Sequence, residues 1–149
     1  MKVLQLGKFY PIRGGVEKVM WDLTLGLAER GILCDMLCAY LKSDPVDPEH
    51  QDLCRETEDG REITLGPYGR VICVPASSKK AKTMLSKPMI TWLRAHAAEY
   101  GFVERYTADK ESFTHFKACP WHWRYVGTDA SVYMRNNNVS LEEYVGQTD

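Results

Sequence analysis

The chain has 149 residues, of which 44% are hydrophobic and 26% charged, and its formal net charge is -1. This composition is typical of a globular protein and excludes a strong overall attraction to nucleic acid. No apolar run approaches the roughly 18 residues that a membrane span needs, and the N-terminus becomes polar too early for a signal peptide. We therefore expect a cytoplasmic protein that binds no nucleic acid and has no membrane span.

Charge and cysteine content differ along the chain. Residues 1–98 carry 14 basic and 12 acidic side chains, whereas residues 99–149 carry 5 basic and 8 acidic ones. This shift favours a junction near residue 98. The five cysteines are odd in number and form no CxxC pair, so we expect free thiols in a reducing compartment.

The first forty residues follow a strand–loop–helix–strand pattern. Residues 2–6 and 33–40 are apolar runs typical of buried strands, and a loop over residues 7–15 contains two adjacent glycines. Helical spacing over residues 16–30 places five apolar side chains on one face: Val16, Val19, Met20, Leu23 and Leu27. The pattern predicts a βαβ unit and a parallel sheet.

The later elements are shorter. Residues 53–66 predict a hairpin that turns at Asp59-Gly60, residues 70–75 a buried strand, and residues 88–100 a helix. The stretches "FVERY", "THFKA" and "HWRYVG" read as strands, and two helices follow, the first capped by Asp129 and the second by a Ser140–Glu143 capping box. We predict an α/β fold, in which a partial Rossmann-like βαβ layer with a mainly parallel sheet precedes a small α+β segment.

A glycine pair, Gly14-Gly15, precedes the first predicted helix. A helix N-terminus offers unpaired N–H groups, and glycine lets a phosphate approach the backbone closely. The pattern is equally typical of a tight turn that requires positive φ. The pair alone leaves both interpretations open.

The stretches "KVLQLGKFYPIRGGVEKVMWDLTLGLAERGILCDMLCAY" and "GRVICVPASSKKAKTMLSKPMITWLRAHAAEY" resemble the N-terminal, acceptor-side domain of family 4 glycosyltransferases, which have the GT-B fold. The resemblance covers residues 1–98. It implies that Gly14, Gly15 and Glu17 lie near a donor diphosphate and that Arg13 helps to hold an anionic acceptor, with three lysines of the basic loop: Lys79, Lys80 and Lys82. A solvated basic loop is the alternative.

The family's nucleotide-sugar site lies mostly in a C-terminal domain that has no counterpart here. The resemblance therefore implies glycosyl transfer from a nucleotide sugar to a glycan acceptor only if a donor domain is supplied elsewhere.

A second motif, "KACPWHWRYVG", lies near the other end of the chain, followed by "LEEY". Residues 92–145 are similar to the C-terminal part of VanY-type D-alanyl-D-alanine carboxypeptidases, so residues 99–149 form a VanY-like segment joined to the first in the helix near 88–100. The resemblance implies that His122 is a zinc ligand and that Cys119 occupies the position of the family's general-base Glu. The family's upstream His and Asp ligands have no counterpart.

Several neighbours of this motif are further candidates. Cys119 and His122 form a Cys-x-x-His pair, to which His115 or His96 is a conceivable third ligand. A Cys–His nucleophile is an alternative use of the pair. Arg124 and Tyr125 are implied by the resemblance to shape the pocket.

The two tryptophans of the motif, Trp121 and Trp123, fall on one side of a predicted strand. This placement favours core packing, with a ligand platform as the alternative.

Three functional hypotheses follow. The first is a glycosyltransferase-like domain, and the second is a zinc D-Ala-D-Ala carboxypeptidase remnant that acts on peptidoglycan peptides. The third is a non-catalytic fusion or interaction protein. Because both active sites are incomplete, the sequence leaves open whether the chain is an enzyme.

Overall fold

A computed structural model of the chain describes residues 2–9, 14–41, 43, 45–46, 48–76 and 86–147. The backbone forms two compact units, Met1–Met89 and Ile90–Asp149. The boundary lies within the helix that was predicted to join the two segments.

The N-terminal unit is a mixed sheet with one covering helix. Its elements are β1 (Lys2–Phe9), α1 (Gly15–Ala28), β2 (Leu33–Tyr40), β3 (Cys54–Thr57), β4 (Gly60–Thr64) and β5 (Gly69–Pro75). The strand order is β1-β2-β5-β4-β3, in which β2 is parallel to β1 and β5, whereas β4 is antiparallel to β5 and β3. The predicted α/β class, βαβ unit and hairpin are confirmed.

The core of this unit lies between α1 and one face of the sheet. Met20 and Trp21 of α1 pack on a cluster of buried strand residues: Met36, Cys38, Tyr40, Ile63, Val71 and Cys73. Thr24 is fully buried and accepts a hydrogen bond from Gln5 Nε2 at 2.7 Å.

The apolar stripe predicted for the first helix is only partly buried. Val16, Val19 and Leu23 are 72%, 66% and 49% exposed. Met20 of the predicted stripe packs on the sheet together with Trp21, and Thr24 of the same helix accepts a hydrogen bond from Gln5 on β1.

Ion pairs link all five strands of the sheet. Arg70 on β5 makes a bidentate pair with buried Asp35 on β2, at 3.1 and 2.7 Å, and reaches Glu62 on β4 at 3.2 Å. Glu62 also accepts from Arg55 on β3 at 2.8 Å, and Lys2 on β1 lies 3.7 Å from Asp35. Each buried carboxylate is therefore neutralised by a cation from a neighbouring strand.

The C-terminal unit contains small helices around a two-stranded sheet. Helix α2 (Lys87–His96) contributes its residues from Ile90 onward. The further elements are β6 (Phe102–Glu104), α3 (Glu111–Thr114), β7 (Trp123–Tyr125), α4 (Thr128–Asn137) and α5 (Leu141–Gln147). Strands β6 and β7 are antiparallel. The predicted capping box is confirmed, because Ser140 N donates to Glu143 and Glu143 N donates to Ser140 Oγ.

Two predictions for this unit are wrong. "THFKA" is not a strand: Thr114 ends α3 by bonding Lys110 O, and His115 has φ 58°. Asp129 does not cap α4, because Gly127, with φ 88°, is the capping residue and the helix begins at Thr128.

In the described part of the chain, no helix is long and apolar enough to cross a membrane. All five cysteines are free, and Cys34, Cys38 and Cys73 are buried. Burial raises the pKa of the Cys38 thiol to about 12, and it raises that of Cys73 as well.

The turn at Gly60 gives a test of the fold. Gly60 has φ 145°, and a Cβ there would lie 2.2 Å from Cys73 O. Gly60→Ala is expected to lower the free energy of unfolding by about 3 kcal/mol. Gly66→Ala, at φ 74° with nothing within 4 Å, should cost only about 1 kcal/mol in the same denaturant titration. Equal losses would contradict the strand pairing around Gly60.

Thiol labelling tests the burial of the cysteines. At pH 8 a disulfide reagent should react rapidly with no more than two thiols of the native chain, Cys54 and Cys119, since the other three are buried and burial also raises the pKa of Cys38 and Cys73. All five should react in guanidinium. Cys119→Ser should remove one rapid equivalent, and rapid labelling of three or more thiols in the native chain would contradict the packing.

Candidate functional site

The glycine pair lies at the start of α1. Gly14 is the N-cap residue with φ -144°, and its carbonyl accepts from Lys18 N at 3.1 Å. Neither Gly14 nor Gly15 has positive φ, so the tight turn that would require it is absent there. A Cβ on Gly14 would lie 2.8 Å from Glu17 Oε2, whereas Gly15 is open. The Glu17 carboxylate therefore lies in front of the helix N-terminus, where its negative charge repels a phosphate.

The other residues predicted to bind an anionic acceptor are Arg13, Lys79, Lys80 and Lys82. They lie outside the described residues.

The second motif forms a turn that leads into β7. Cys119 N donates to Tyr106 O at 2.9 Å, and His122 N donates back to Cys119 O at 3.0 Å. Arg105 N donates to His122 O at 2.8 Å and extends the pairing of the two strands. The backbone thus fixes Cys119 and His122 at the two ends of one tight turn.

The imidazole of His122 lies at the surface among aromatic rings. It is exposed and packs edge-on against the Tyr106 ring, with 5.0 Å between centroids. Tyr106 also contacts Phe116 at 4.9 Å, and Phe116 is 60% exposed. Sequence reasoning missed Tyr106 as a site residue, although it is the last residue of the predicted strand "FVERY".

The two tryptophans of the motif differ in their surroundings. Trp123 begins β7, is half-buried and donates from Nε1 to Pro120 O at 3.0 Å. Trp121 lies in the turn before the strand and is 66% exposed. The prediction that both pack in the core on one face of a strand is therefore wrong for Trp121.

The carboxylates close to the hairpin formed by β6 and β7 make hydrogen bonds and ion pairs with other groups. Arg94 forms a bidentate pair with Glu104, at 2.7 and 2.8 Å. Glu111 Oε1 accepts from Ala118 N at 2.9 Å, just before the turn.

The first carboxylates of α5 are engaged as well. Glu142 pairs with Arg105, which donates to Oε2 at 3.0 Å and lowers the pKa of this carboxyl. Glu143 accepts from Ser140 N and from Lys110, and the backbone bond lowers its pKa. Both side chains therefore remain ionised well below neutral pH.

The described residues do not bring three metal ligands together. The described residues contain no group of three or more His, Cys, Asp or Glu side chains that could hold a metal ion. His96 stacks on Trp92 and lies 3.4 Å from Glu99, and His115 ends α3. Cys119 and His122 are thus a pair of donors where a catalytic zinc site needs three protein ligands.

A cavity of about 210 Å³ lies next to this motif in the C-terminal unit, since Trp123, Glu104 and Arg105 are among its lining residues. Leu93 and Met134 line its apolar part, and Arg135 lies among its polar residues. Neither Cys119 nor His122 lines it.

The chain is similar to known carboxypeptidases. Residues 69–128 match the family model described as "VanY: D-alanyl-D-alanine carboxypeptidase". The putative carboxypeptidase YodJ of Bacillus subtilis is 43% identical over 53 residues, which are 36% of this chain and 19% of that protein. A D-alanyl-D-alanine carboxypeptidase of Enterococcus faecium is 44% identical over 54 residues, 36% of this chain and 18% of that protein.

A longer match reaches into the N-terminal unit. The bifunctional D-Ala-D-Ala dipeptidase and carboxypeptidase VanXYC of Enterococcus gallinarum is 44% identical over 132 residues, 86% of this chain and 59% of that protein. Among solved structures, VanYB in complex with D-alanine-D-alanine is 35% identical over 40% of this chain and 33% of that one, with a TM-score of 0.40. A VanY E175A mutant, 37% identical over 38% of this chain and 32% of that one at a TM-score of 0.38, is in complex with Zn(II).

These matches support a VanY-type carboxypeptidase domain in the chain. The chain spans about a fifth of the length of the first two relatives. They give no support to a family 4 glycosyltransferase or to a nucleotide-sugar donor. The family match begins at residue 69, well inside the segment that the sequence assigned to the transferase.

The Arg105–Glu142 pair gives a pH-dependent test of the site. Because Arg105 lowers the pKa of Glu142, the pair stabilises the fold above the ordinary glutamate pKa of about 4.3 and loses this effect as the pH falls further. Glu142→Gln should cost up to about 1 kcal/mol at pH 7. The difference from wild type should shrink between pH 5 and about 3 in urea titrations.

Glu58→Gln, which removes a carboxylate from an exposed turn of the N-terminal unit, is the matched control for the loss of one negative charge. A Glu142→Gln difference that stays constant with pH would contradict the ion pair.

Proposed function

We propose that the C-terminal unit is a VanY-type segment that recognises peptidoglycan peptides ending in D-Ala-D-Ala. The observation that carries the proposal is the family match over residues 69–128, which includes the C-P-W-H-x-R-Y-V-G hairpin. Relatives described as D-alanyl-D-alanine carboxypeptidases supply the substrate class. The hairpin is built on two paired strands, so its exposed side chains are held in fixed positions for a ligand.

The charge of the hairpin suits a peptide that ends in a carboxylate. Residues 115–125 contain Lys117 and Arg124 and no acidic residue. The side chain of Arg124 is exposed and forms no ion pair with any described residue. A guanidinium matches a carboxylate through two parallel hydrogen bonds. Arg124 is therefore the group that we assign to the C-terminal carboxylate of the peptide.

Exposed aromatic side chains precede and follow this cation in the sequence. Trp121 and Tyr125 are 66% and 62% exposed, and the Tyr125 ring is held edge-on by Phe102 at 5.4 Å. Rigid aromatic rings supply apolar contact at low entropic cost, which suits the methyl groups of D-alanine.

Binding measurements with paired peptides test this proposal. Diacetyl-Lys-D-Ala-D-Ala should bind the full chain in a calorimetric titration, and the corresponding L-Ala-L-Ala peptide should bind more weakly. Arg124→Gln should weaken binding of the D-peptide by about 10- to 100-fold, since a charged hydrogen bond contributes about 1.5–3 kcal/mol.

Lys117→Gln is the matched control, because it removes a cation of the same segment and should change the affinity less than about 3-fold. Absence of binding, or equal affinity for the two stereoisomers, would refute the proposal.

A further inference from the structure

We infer that this chain binds D-Ala-terminated peptides without zinc and without releasing D-alanine. The inference rests on the proposed function and concerns what the hairpin does with a peptide once it is bound. It follows from the donor set around His122, which does not fit the metal of the carboxypeptidase relatives.

Zinc-dependent hydrolysis of an amide makes definite demands on the protein. The metal needs three protein ligands and an open position for water, and a nearby carboxylate must take the proton of that water. The base works best when its pKa lies near the working pH. A chain that lacks both the ligands and the base holds its peptide but does not cleave it.

The ligands are the first deficit. His122 and Cys119 stand at the ends of one turn, and no described residue joins them in a group of three donors. The two other histidines of the unit have other roles. His96 stacks on Trp92, and His115 is the residue that ends α3. A two-donor site binds zinc too weakly to keep it against chelators.

The missing base is the second deficit. Glu104 forms a bidentate pair with Arg94 and Glu111 accepts from Ala118 N, and neither carboxylate bonds to the His122 ring. Glu142 is held by Arg105, which keeps it ionised and a weak base.

A metal-free reaction with the Cys119 thiol as nucleophile would also need a group that orients the His122 base. A Cys nucleophile needs a base that another group orients. In the described part of the chain no carboxylate bonds to the His122 ring, which packs edge-on against the Tyr106 ring. The pair thus differs from an activated Cys–His dyad.

The experiment follows binding and product together on the full chain. Diacetyl-Lys-D-Ala-D-Ala is titrated into the chain with excess ZnCl₂ and, separately, with EDTA, and free D-alanine is assayed after overnight incubation. We expect the same affinity in both conditions and no D-alanine above the blank. Binding accompanied by D-alanine release in zinc, abolished by EDTA, would overturn the inference and leave the proposed function standing. Absence of binding would overturn both.

A substitution tests the donor set in a second way. Cys119→Glu places a carboxylate next to the turn, and we expect it to release no D-alanine because the metal ligands are still too few. D-alanine release by this variant in zinc would overturn the inference. Cys119→Ser is the matched control, and unchanged far-UV circular dichroism with retained peptide binding shows that both variants are folded.

Discussion

The pairing of carboxylates with cations and backbone N–H groups governs the C-terminal unit. Arg105 lies next to β6, and its bond to Glu142 ties the small sheet to α5. Arg94 fastens α2 to Glu104 of β6 in the same way. These pairs reinforce the apolar packing of Tyr100, Val103 and Met134, because a two-stranded sheet is marginally stable by itself.

The N-terminal unit follows a related rule in a more buried setting. Asp35 lies in the middle of the sheet at 4% exposure, and Arg70 neutralises it through two hydrogen bonds. Removing one partner of such a pair costs several kcal/mol, because the other charge remains buried. The apolar stripe of α1 at Val16 and Val19 stays exposed, so most of the cohesion of this unit comes from the sheet and the core beneath Met20 and Trp21.

Sequence reasoning worked where one local signal was strong. The apolar run of residues 33–40 and the Asp59-Gly60 turn gave the correct strand and hairpin, and the Ser140–Glu143 box gave the correct helix start. It failed where the local structure or the exposure of a side chain depended on a tertiary contact or a side-chain hydrogen bond. The Thr114 hydroxyl donates to Lys110 O at the end of a short helix, and the exposure of Trp121 depends on where β7 begins. Whether His122 has enough fellow ligands depends on packing that spacing does not encode.

The metal content of the purified full chain tests the central claim most directly. The chain is dialysed against zinc and then against buffer, and zinc per chain is measured beside the same measurement on His122→Ala. The two-donor turn predicts far less than one zinc per chain, with no difference between the two proteins. About one zinc per wild-type chain, lost in His122→Ala, would mean that the hairpin assembles a complete metal site and would contradict the account.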